Sequence, residues 1–382
     1  MAVVVNIEDL CKRAHAKLPK AMFQYIHGGS FDELTLERNR HDLDALALNE
    51  HVMNDVSKLS TATTLLGDPA TVPLACAPVG MCGAAWPNGE VEAARAAEAF
   101  GIPFCLSTFS INSIEDVAAA IKRPFWAQLY MMTEQRVNES VIHRADMAGC
   151  SALLMTLDVH VHSQRWADNR NGLVAPLHIM PSNTLNIAGH LPWLANMLRS
   201  RRHTFGTMAK EHPEAWNVIQ LAEWVNSHLD SSIDQDTIRW VRERWPRKLV
   251  LKGIMTVDDA KRAVDLGADA IVVSNHGGRQ LDSAPSTISV LPEIARAVGD
   301  RVEVLWDGGV RSGFDIVKAM GRGAHGCLSG RAWMYGLSWR GRKGVTKALE
   351  ILNSELKDCM ALCGFTDMRE VPADLVTPQP AL

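Results

Sequence analysis

The sequence predicts an α/β protein built as a (β/α)8 TIM barrel, and three observations support this fold class. Eight short apolar runs recur from residue 74 onward, and amphipathic stretches of helical period separate most of them. Polar residues stand where these runs end, as in barrels whose active sites lie at the carboxyl ends of the strands. A length of 382 residues is also ordinary for one barrel. A doubly wound sheet is the alternative, although no Gly-x-Gly-x-x-Gly follows the first strand.

The N-terminal stretch, residues 1–70, is predicted as a helical segment that covers one end of the barrel. Asn6 is a typical N-cap for a helix that ends before Pro19. A second helix, at residues 21–26, carries Tyr25, and helical periodicity continues over residues 34–46. The whole chain, residues 1–382, is therefore expected to form a single barrel domain with covering helices.

The regular alternation of elements occupies the rest of the chain, apart from one long connection. The predicted strands are residues 74–79, 103–106, 125–130, 152–158, 249–253, 270–274, 302–306 and 326–330. The predicted helices between them are residues 90–100, 113–121, 139–148, 257–266, 289–298 and 313–320. This order predicts parallel strands, each followed by a helix.

The connection after the fourth strand, residues 166–235, is predicted as a long loop insertion. Its residues 171–198 contain no Asp, Glu, Lys or Arg, and they contain Pro176, Pro181 and Pro192. These prolines exclude a continuous membrane-spanning helix. A basic cluster follows, formed by Arg199, Arg201, Arg202 and Lys210. An apolar stretch beside cations is typical of a segment that lies in a bilayer interface, so this one is predicted to bind a membrane. A lid or a subunit contact is the alternative.

Composition and charge exclude several function classes. A net charge of −4 gives no overall attraction to nucleic acid, and no nucleic-acid partner is expected. The eight cysteines form no Cys-x-x-Cys pair and no zinc-like cluster, so no metal site is expected. Four of them stand in or beside apolar runs, where reduced, buried thiols are expected: Cys76, Cys82, Cys105 and Cys327. These features predict a cytoplasmic protein.

One group of strand-end residues suits a phosphorylated flavin. The seventh and eighth strands end in glycine and arginine, which together can bind phosphate: Asp307, Gly309, Arg311, Gly330 and Arg331. Lys252, at the end of the fifth strand, could stabilise an anionic reduced flavin ring. Three further side chains can hydrogen-bond the edge of the ring: Ser107, Gln128 and Thr156.

A second group suits a 2-hydroxy acid. His276, after the sixth strand, can accept a proton near neutral pH. Asp158 could orient His276 and stabilise its imidazolium form, and Tyr130 could hydrogen-bond the 2-hydroxyl group. The substrate carboxylate would be bound by arginine forks and a phenol: Arg165, Arg279 and Tyr25.

The run Ser-Asn-His-Gly-Gly-Arg-Gln-Leu-Asp at residues 274–282 resembles the signature of the FMN-dependent 2-hydroxy acid dehydrogenases and oxidases. Further matches include Leu-Pro-Lys at 18–20, Ala-Pro-Val-Gly at 77–80, Gln-Leu-Tyr at 128–130 and Thr-Leu-Asp at 156–158. The resemblance covers nearly the whole chain and is closest to the bacterial L-lactate and (S)-mandelate dehydrogenase branch. It implies FMN as the cofactor, Gly80 against the flavin and His276 as the proton acceptor, with the other residues in the roles given above.

The resemblance also implies the reaction: oxidation of a lactate-like or mandelate-like (S)-2-hydroxy acid to the 2-oxo acid, with electrons passing to a quinone or another carrier. His276 would take its proton from carbon 2 or from the 2-hydroxyl, and both routes stay open. Family oxidases tend to carry alanine where Gly80 stands, which favours a dehydrogenase. A homo-oligomer, expected to be a homotetramer, peripheral on the cytoplasmic face of the membrane, is implied as well.

Three alternatives remain at this point. The nearest is a soluble 2-hydroxy acid oxidase that reduces oxygen to hydrogen peroxide. The others are an FMN barrel with different chemistry and a flavin-binding protein without turnover. The chain also departs from the family pattern at Ala127, at Phe109, at residues 159–164 and at Trp306. These departures leave the catalytic residues in place and bear on the identity of the substrate.

Overall fold

The helices and strands below come from a computed structural model that describes residues 3–173, 181–200, 202–211 and 218–378. The strands are β1 (Leu46–Leu48), β2 (Thr63–Leu65), β3 (Asp68–Ala70), β4 (Leu74–Cys76), β5 (Cys105–Leu106), β6 (Trp126–Leu129), β7 (Ala152–Thr156), β8 (Lys248–Ile254), β9 (Ala270–Val273), β10 (Glu303–Trp306), β11 (Gly326–Ser329) and β12 (Val376–Pro378).

The helices of these ranges are α1 (Ile7–Lys17), α2 (Lys20–His27), α3 (Leu34–Asp44), α4 (Cys82–Ala85), α5 (Gly89–Phe100), α6 (Ile114–Ala118), α7 (Gln135–Met147), α8 (Trp166–Arg170), α9 (Pro181–Ala188), α10 (Leu191–Met197), α11 (Val218–His228), α12 (Gln235–Arg244), α13 (Val257–Asp265), α14 (Thr287–Val298), α15 (Gly313–Gly321), α16 (Arg331–Arg340) and α17 (Arg342–Cys363). A short 3₁₀ helix spans Met208–Lys210.

Eight parallel strands form the barrel that the sequence predicts. They are hydrogen-bonded in the order β4-β11-β10-β9-β8-β7-β6-β5. A parallel bridge between Cys76 and Phe104 joins the two ends of this sheet, and the Cys76 amide donates to the carbonyl of Pro103 at 2.9 Å. The (β/α)8 fold is therefore confirmed, and the doubly wound alternative is wrong because the first and second barrel strands meet.

Each barrel strand coincides with a predicted apolar run, but most of the strands end before the polar residues that were included in the runs. The predicted strand 270–274, for example, ends at Val273. Alternate residues of a strand face opposite sides. Val272 accordingly packs inside the barrel with Leu154 and Leu305, whereas Ile271 and Val273 pack against the surrounding helices. The polar residues that follow are left at the carboxyl end of the barrel.

The N-terminal segment is more than the predicted set of helices, because it also contains β1 and the β2–β3 hairpin. Asn6 caps α1 as expected, with its side chain accepting from the Asp9 amide. In the hairpin, Leu65 and Leu66 join the interior cluster of the barrel. The Leu66 amide donates to Glu303, the first residue of β10. The hairpin therefore closes the amino end of the barrel, opposite to the polar strand ends.

The connection after the fourth barrel strand was predicted as a loop, and in its described parts this is wrong. It contains α8, α9, α10, the 3₁₀ helix, α11 and the start of α12. Pro181 and Pro192 lie in the first turns of α9 and α10, where the missing amide hydrogen costs nothing. Pro176 lies outside the described residues. Across the described ranges, no helix has the length and apolar content needed to cross a membrane.

The cysteines were predicted to be reduced and buried at positions 76, 82, 105 and 327. All eight cysteines of the chain are buried and free. Burial raises the pKa of the Cys76 thiol to about 12, because a thiolate would lose its hydration inside the protein. These thiols therefore contribute to packing and are protonated at neutral pH.

Candidate active site

A cavity at the carboxyl end of the barrel contains most of the predicted site residues. Fourteen of them line it: Tyr25, Gly80, Ser107, Tyr130, Thr156, Arg165, Lys252, His276, Arg279, Asp307, Gly309, Arg311, Gly330 and Arg331. The two others, Gln128 and Asp158, lie directly behind this lining and hydrogen-bond to Thr156 and His276 respectively. The fold therefore brings the whole predicted set together from all eight strand ends and from α2.

The loop after β9 presents His276 to the cavity through an unusual backbone. His276, Gly277 and Gly278 have φ angles of 59°, 63° and 71°, a left-handed run that costs little only for glycine. Two contacts with the N-terminal segment hold this loop. Asn275 and Asn39 exchange a pair of side-chain hydrogen bonds, both of 2.9 Å. The Ser30 amide donates to the Gly278 carbonyl at 2.9 Å.

The imidazole of His276 lies between a carboxylate and a phenol. Its Nδ1 is 2.9 Å from Asp158 Oδ1, and its Nε2 is 3.3 Å from the Tyr130 hydroxyl. Burial lowers the pKa of His276 below its usual value, although Asp158 opposes this shift. His276 is therefore neutral at pH 7. With Nδ1–H donating to the carboxylate, Nε2 carries the free lone pair and can accept a proton from the cavity.

Asp158 remains ionised although it is almost buried. Burial alone would raise its pKa, but His276 and Lys252 outweigh that effect and hold the pKa below its usual value. Gly253, with a φ of 105°, makes room for this carboxylate, because a Cβ there would lie 2.7 Å from the Asp158 Cβ. Tyr130 behaves oppositely: burial, followed by the nearby Asp158 charge, raises its pKa, so it stays a hydrogen-bond donor.

Lys252 is a buried cation with anionic and polar partners. Its Nζ donates to Ser274 Oγ at 2.8 Å and lies 3.4 Å from Asp307 Oδ2. Burial would lower its pKa, but Asp307 and Asp158 outweigh burial and raise it. Ser274 Oγ also accepts from the His276 amide at 3.1 Å. A fixed positive charge therefore faces the cavity beside the proton acceptor.

A chain of hydrogen bonds orders the polar residues of the second, third and fourth barrel strands. Ser107 Oγ donates to Gln128 Oε1 at 3.2 Å, and Gln128 Nε2 donates to Thr156 Oγ1 at 3.0 Å. All three side chains are buried. Because the amide of Gln128 is held at both ends, Ser107 and Thr156 keep fixed orientations toward the cavity.

Two guanidinium groups converge on the ring of Tyr25. The carbon of the Arg279 guanidinium lies 5.1 Å from the ring centroid, and that of Arg165 lies 5.7 Å from it. Arg165 is paired with the buried Asp168 at 3.3 Å. Arg279 donates through Nη1 to the carbonyls of Tyr25 and Gly28. Burial, followed by the neighbouring Arg165, lowers the pKa of Arg279.

A second cationic area lies where β10 and β11 end. Arg311 and Arg331 line it together with Gly309 and Gly330. Arg331 is already heavily hydrogen-bonded, because its Nη1 and Nη2 donate to the carbonyls of Gly277 and Gly28 at 2.9 and 2.8 Å. Burial, followed by Arg279 and Arg311, lowers the pKa of Arg331 to about 9. Arg331 therefore ties the site loop to the end of α2 and adds positive charge to the cavity.

These features fit FMN, the cofactor that the sequence predicts. In the described part of the chain, no carboxylate forms an ion pair with Arg279, Arg311 or Arg331, so the cavity carries uncompensated positive charge. The N-terminus of α16 has no side-chain cap, and such a helix end attracts phosphate. Asp307 Oδ1 and Ser329 Oγ are buried and lack a hydrogen-bond partner. A phosphorylated ligand with further polar groups would satisfy these atoms.

The structure adds residues to the site that the sequence did not single out. Ser274 bridges Lys252 and the His276 backbone, and His162 and Gln280 line the cavity. Phe109, noted only as a departure from the family pattern, stacks on Tyr130 with ring centroids 4.7 Å apart. Phe205, from the long connection, packs 6.2 Å from Phe109. A serine directly before the Asn-His-Gly-Gly run was the available signal for Ser274. No sequence signal marks Phe205.

Comparisons with known proteins give a consistent result. The model of a family described as FMN-dependent dehydrogenase matches residues 14–378. An L-lactate dehydrogenase of Caulobacter sp. (strain K31) is 41% identical over 98% of this chain and 98% of its own. The solved structure of a monotopic membrane protein, (S)-mandelate dehydrogenase, is 33% identical, with a TM-score of 0.94 over 99% of this chain and 100% of its own. A mandelate oxidase structure is 34% identical, with a TM-score of 0.85 over the same shares.

Proposed function

The chain belongs to the FMN-dependent dehydrogenase family, and from this premise we propose that it oxidises a lactate-like or mandelate-like (S)-2-hydroxy acid and passes the electrons to a quinone. One observation carries the proposal: a neutral histidine held by a carboxylate shares a cavity with Arg279, which forms no ion pair with a carboxylate among the described residues. A small anion that loses a proton when it is oxidised fits both features.

The substrate carboxylate is assigned to the guanidinium of Arg279, the hydroxyl of Tyr25 and the guanidinium of Arg165. Nη1 of Arg279 is engaged by two backbone carbonyls, so its Nη2 and Nε are the donors left for a carboxylate. Arg165 shares its charge with Asp168, so Arg279 contributes the larger uncompensated charge. The 2-hydroxyl is assigned to the Tyr130 hydroxyl and His276 Nε2, which lie 3.3 Å apart.

His276 Nε2 accepts the proton that leaves the substrate. As the imidazole becomes imidazolium, the Asp158 carboxylate, 2.9 Å from Nδ1, stabilises the new positive charge. Tyr130 keeps its proton and holds the substrate oxygen. The stacked rings of Phe109 and Tyr130, backed by Phe205, limit the access of water on this side.

FMN, when bound, supplies the two-electron acceptor. The residues assigned to hold it are Gly80, Ser107, Gln128, Thr156, Lys252, Asp307, Gly309, Arg311, Gly330 and Arg331. The Lys252 ammonium, kept charged by Asp307, would stabilise negative charge on a reduced flavin bound in this cavity. Arg311 and the uncapped α16 terminus suit its phosphate.

Anaerobic bleaching of the purified yellow protein tests the activity. Addition of an (S)-2-hydroxy acid should bleach the visible absorbance band of the oxidised flavin and yield one molecule of 2-oxo acid per flavin. Lactate, 2-hydroxybutanoate, mandelate and glycolate should be compared at equal concentrations, with the (R) enantiomers of the chiral acids as controls. An absence of bleaching by every (S) acid would refute the proposal and leave a flavin-binding protein or a barrel with other chemistry.

A soluble oxidase remains the second candidate, and the similarity to a mandelate oxidase structure favours it. Gly80 supports the dehydrogenase instead, because the oxidases of the resemblance tend to carry alanine there. An alanine Cβ would lie 3.3 Å from the Phe109 carbonyl and 3.6 Å from the Tyr25 hydroxyl, so the site has little room for that methyl group.

Peripheral membrane binding on the cytoplasmic face is the last part of the proposal. Three exposed leucines in and beside α9 and α10 support it: Leu185, Leu191 and Leu198, the C-cap of α10, are 78%, 64% and 76% exposed. The basic cluster supports it less than the sequence suggested. Arg202 pairs with Asp116, and Lys210 with Glu115, while Arg199 is exposed and Arg201 lies outside the described residues. The solved mandelate dehydrogenase is itself a monotopic membrane protein.

A homo-oligomer is proposed from the resemblance alone, and light scattering would test it.

A further inference from the structure

His162 is a polar side chain of the cavity that the proposed reaction does not use. It lies in the segment after β7, between Asp158 and Arg165, and lines the same cavity as Tyr25 and His276. Its Nε2 is buried and has no hydrogen-bond partner. A buried imidazole nitrogen without a partner costs about 1–3 kcal/mol, so such a group normally has something to bind.

The backbone around His162 is fixed by the site loop. Gln280 Nε2 donates to the carbonyls of Asp158 and Val161, at 2.9 and 3.1 Å. Ser163 Oγ donates to the Arg279 carbonyl at 2.5 Å. These bonds lie on both sides of His162 in the sequence. The backbone that carries the imidazole is therefore held in place relative to Arg279 and His276. These two residues are assigned to the carboxylate and the 2-hydroxyl, the groups that all 2-hydroxy acids share.

The remaining wall of the cavity must face the substituent on carbon 2. Arg279, Tyr25 and Arg165 are assigned to the carboxylate, and Tyr130 and His276 to the hydroxyl. The amide nitrogen of Gln280 already donates to two backbone carbonyls. Apart from Gln280 and the residues already assigned, the side chains of the lining are apolar, Phe109 and Val159 among them, with one polar exception, His162.

The charge of His162 defines what it can bind. Burial, followed by the nearby Arg165, lowers the pKa of His162 to about 4. At neutral pH it is therefore an uncharged imidazole, with one N–H donor and one nitrogen acceptor. An uncharged donor and acceptor matches a hydroxyl or a carbonyl oxygen and offers no counter-charge for a second carboxylate.

We propose that His162 is a specificity-determining residue that hydrogen-bonds an uncharged oxygen on the carbon-2 substituent of the substrate. The preferred substrates are then 2-hydroxy acids whose side chain carries a hydroxyl or carbonyl group, rather than purely hydrocarbon ones. This inference rests on the proposed 2-hydroxy acid oxidation. A site built to hydrogen-bond a substrate hydroxyl discriminates strongly against the analogue that lacks it, because the polar group of the protein then stays unpaired.

Matched substrate pairs that differ by one oxygen test the proposal. One pair is (S)-2-hydroxybutanoate and (S)-2,3-dihydroxypropanoate, in which a methyl group is replaced by a hydroxyl. The second is (S)-mandelate and its 3- and 4-hydroxy derivatives. The wild-type kcat/KM should favour the oxygen-bearing member of at least one pair by about tenfold or more, the value of one buried hydrogen bond. Calorimetric dissociation constants for the corresponding 2-oxo acids should show the same preference without turnover.

Three variants separate recognition from general structural damage. His162→Leu should bring the ratio of kcat/KM between the oxygen-bearing and the oxygen-free substrate to about one. The corresponding ratio of dissociation constants should also become about one, and His162→Gln should restore part of the preference. His160→Leu is the matched control, because His160 stands two residues earlier and is exposed. It should leave the preference unchanged.

Two results would overturn the assignment of His162. Either the wild-type protein shows no preference for oxygen in any pair, or His162→Leu retains the wild-type ratio. A failure of the underlying reaction looks different, because then none of the (S)-2-hydroxy acids, with or without the extra oxygen, would bleach the flavin.

Discussion

His276 Nδ1 lies 2.9 Å from Asp158 Oδ1, across 118 residues of sequence. This contact assigns the Nδ1 proton to the carboxylate side and leaves Nε2 facing the cavity beside Tyr130. It also places an anion where it can stabilise an imidazolium. Proton acceptance and charge stabilisation are thus divided between two residues, and they can be tested separately.

His276→Asn should leave FMN bound while slowing anaerobic flavin reduction. The expected loss is roughly 10²–10⁴-fold, the usual contribution of a positioned general base. Asparagine also tolerates the φ of 59° at this position better than most residues, so the loop should keep its shape. Stopped-flow absorbance measures the reduction rate, and the flavin-to-protein ratio is the control. Reduction at the wild-type rate would remove His276 from the proton transfer.

Asp158→Asn should slow flavin reduction by at least about tenfold, since the imidazolium loses its counter-charge. The pH profile should also shift. The pKa of His276 lies below its usual value, so wild-type kcat/KM should rise with pH through that pKa and be flat at neutral pH. Asp158 raises this pKa, so the variant should have its acidic limb at still lower pH. An acidic limb at higher pH would contradict the assigned contact.

Arg279→Met should weaken substrate binding and turnover together, at a cost of roughly 2–5 kcal/mol in kcat/KM for a buried, hydrogen-bonded charge pair. Arg279→Lys should recover only part of this, because an ammonium cannot reproduce the two-pronged guanidinium. Steady-state kinetics with one acid and its 2-oxo product as an inhibitor would measure both effects. Complete recovery by lysine would exclude a bidentate contact.

Reduced wild-type enzyme should react slowly with oxygen and faster with a quinone analogue or a dye. Gly80→Ala should shift this preference toward oxygen. It should fold, because the added Cβ would lie 3.3 Å from the Phe109 carbonyl, a tight contact that a shift of a few tenths of an ångström relieves. Reoxidation in air-saturated buffer, with peroxide quantified, makes the comparison. Rapid reoxidation of the wild-type enzyme with stoichiometric peroxide would favour the oxidase.

Replacing Leu185, Leu191 and Leu198 together by serine should abolish sedimentation with anionic vesicles and leave flavin reduction intact. Each leucine would lose up to about 1.5–3 kcal/mol of apolar transfer energy. The matched control replaces three other exposed side chains by serine: Met53, Met147 and Leu362, which are 101%, 74% and 62% exposed. That control should still sediment. Equal behaviour of both triple variants would assign α9 and α10 to a lid or a subunit contact.

The sequence predicted the barrel, and it singled out residues that the structure brings together at one end of it, because both depend on local patterns. Apolar runs mark the strands, and the polar residues that follow them necessarily meet at one end of a parallel barrel. The hairpin that closes the opposite end was missed. Leu65 and Leu66 lie where two strands of three residues each are joined by a two-residue turn, and strands this short show no hydrophobic period. The position of this turn also depends on contacts with residues far along the chain, such as Glu303.

The long connection shows the other limit of sequence reasoning. Prolines and the lack of charge suggested a loop, yet each described proline lies in the first turn of a helix, where proline is tolerated. The pairing of Arg202 with Asp116 and of Lys210 with Glu115 was equally hidden, because it links residues more than 80 positions apart. A charge cluster in sequence does not reveal which of its members are already neutralised.

The contacts between the N-terminal segment and the site loop have a consequence for synthesis. Asn39 is synthesised 236 residues before its partner Asn275, and Gly28, at the end of α2, is synthesised 303 residues before Arg331. At ribosomal rates of 5–20 residues per second, the delay is roughly 15 to 60 seconds. During that time α2 and α3 have no barrel to cover, and FMN has no complete site. Loading with FMN is therefore expected only when the chain is nearly finished, and nascent chains arrested before residue 331 should not retain the flavin.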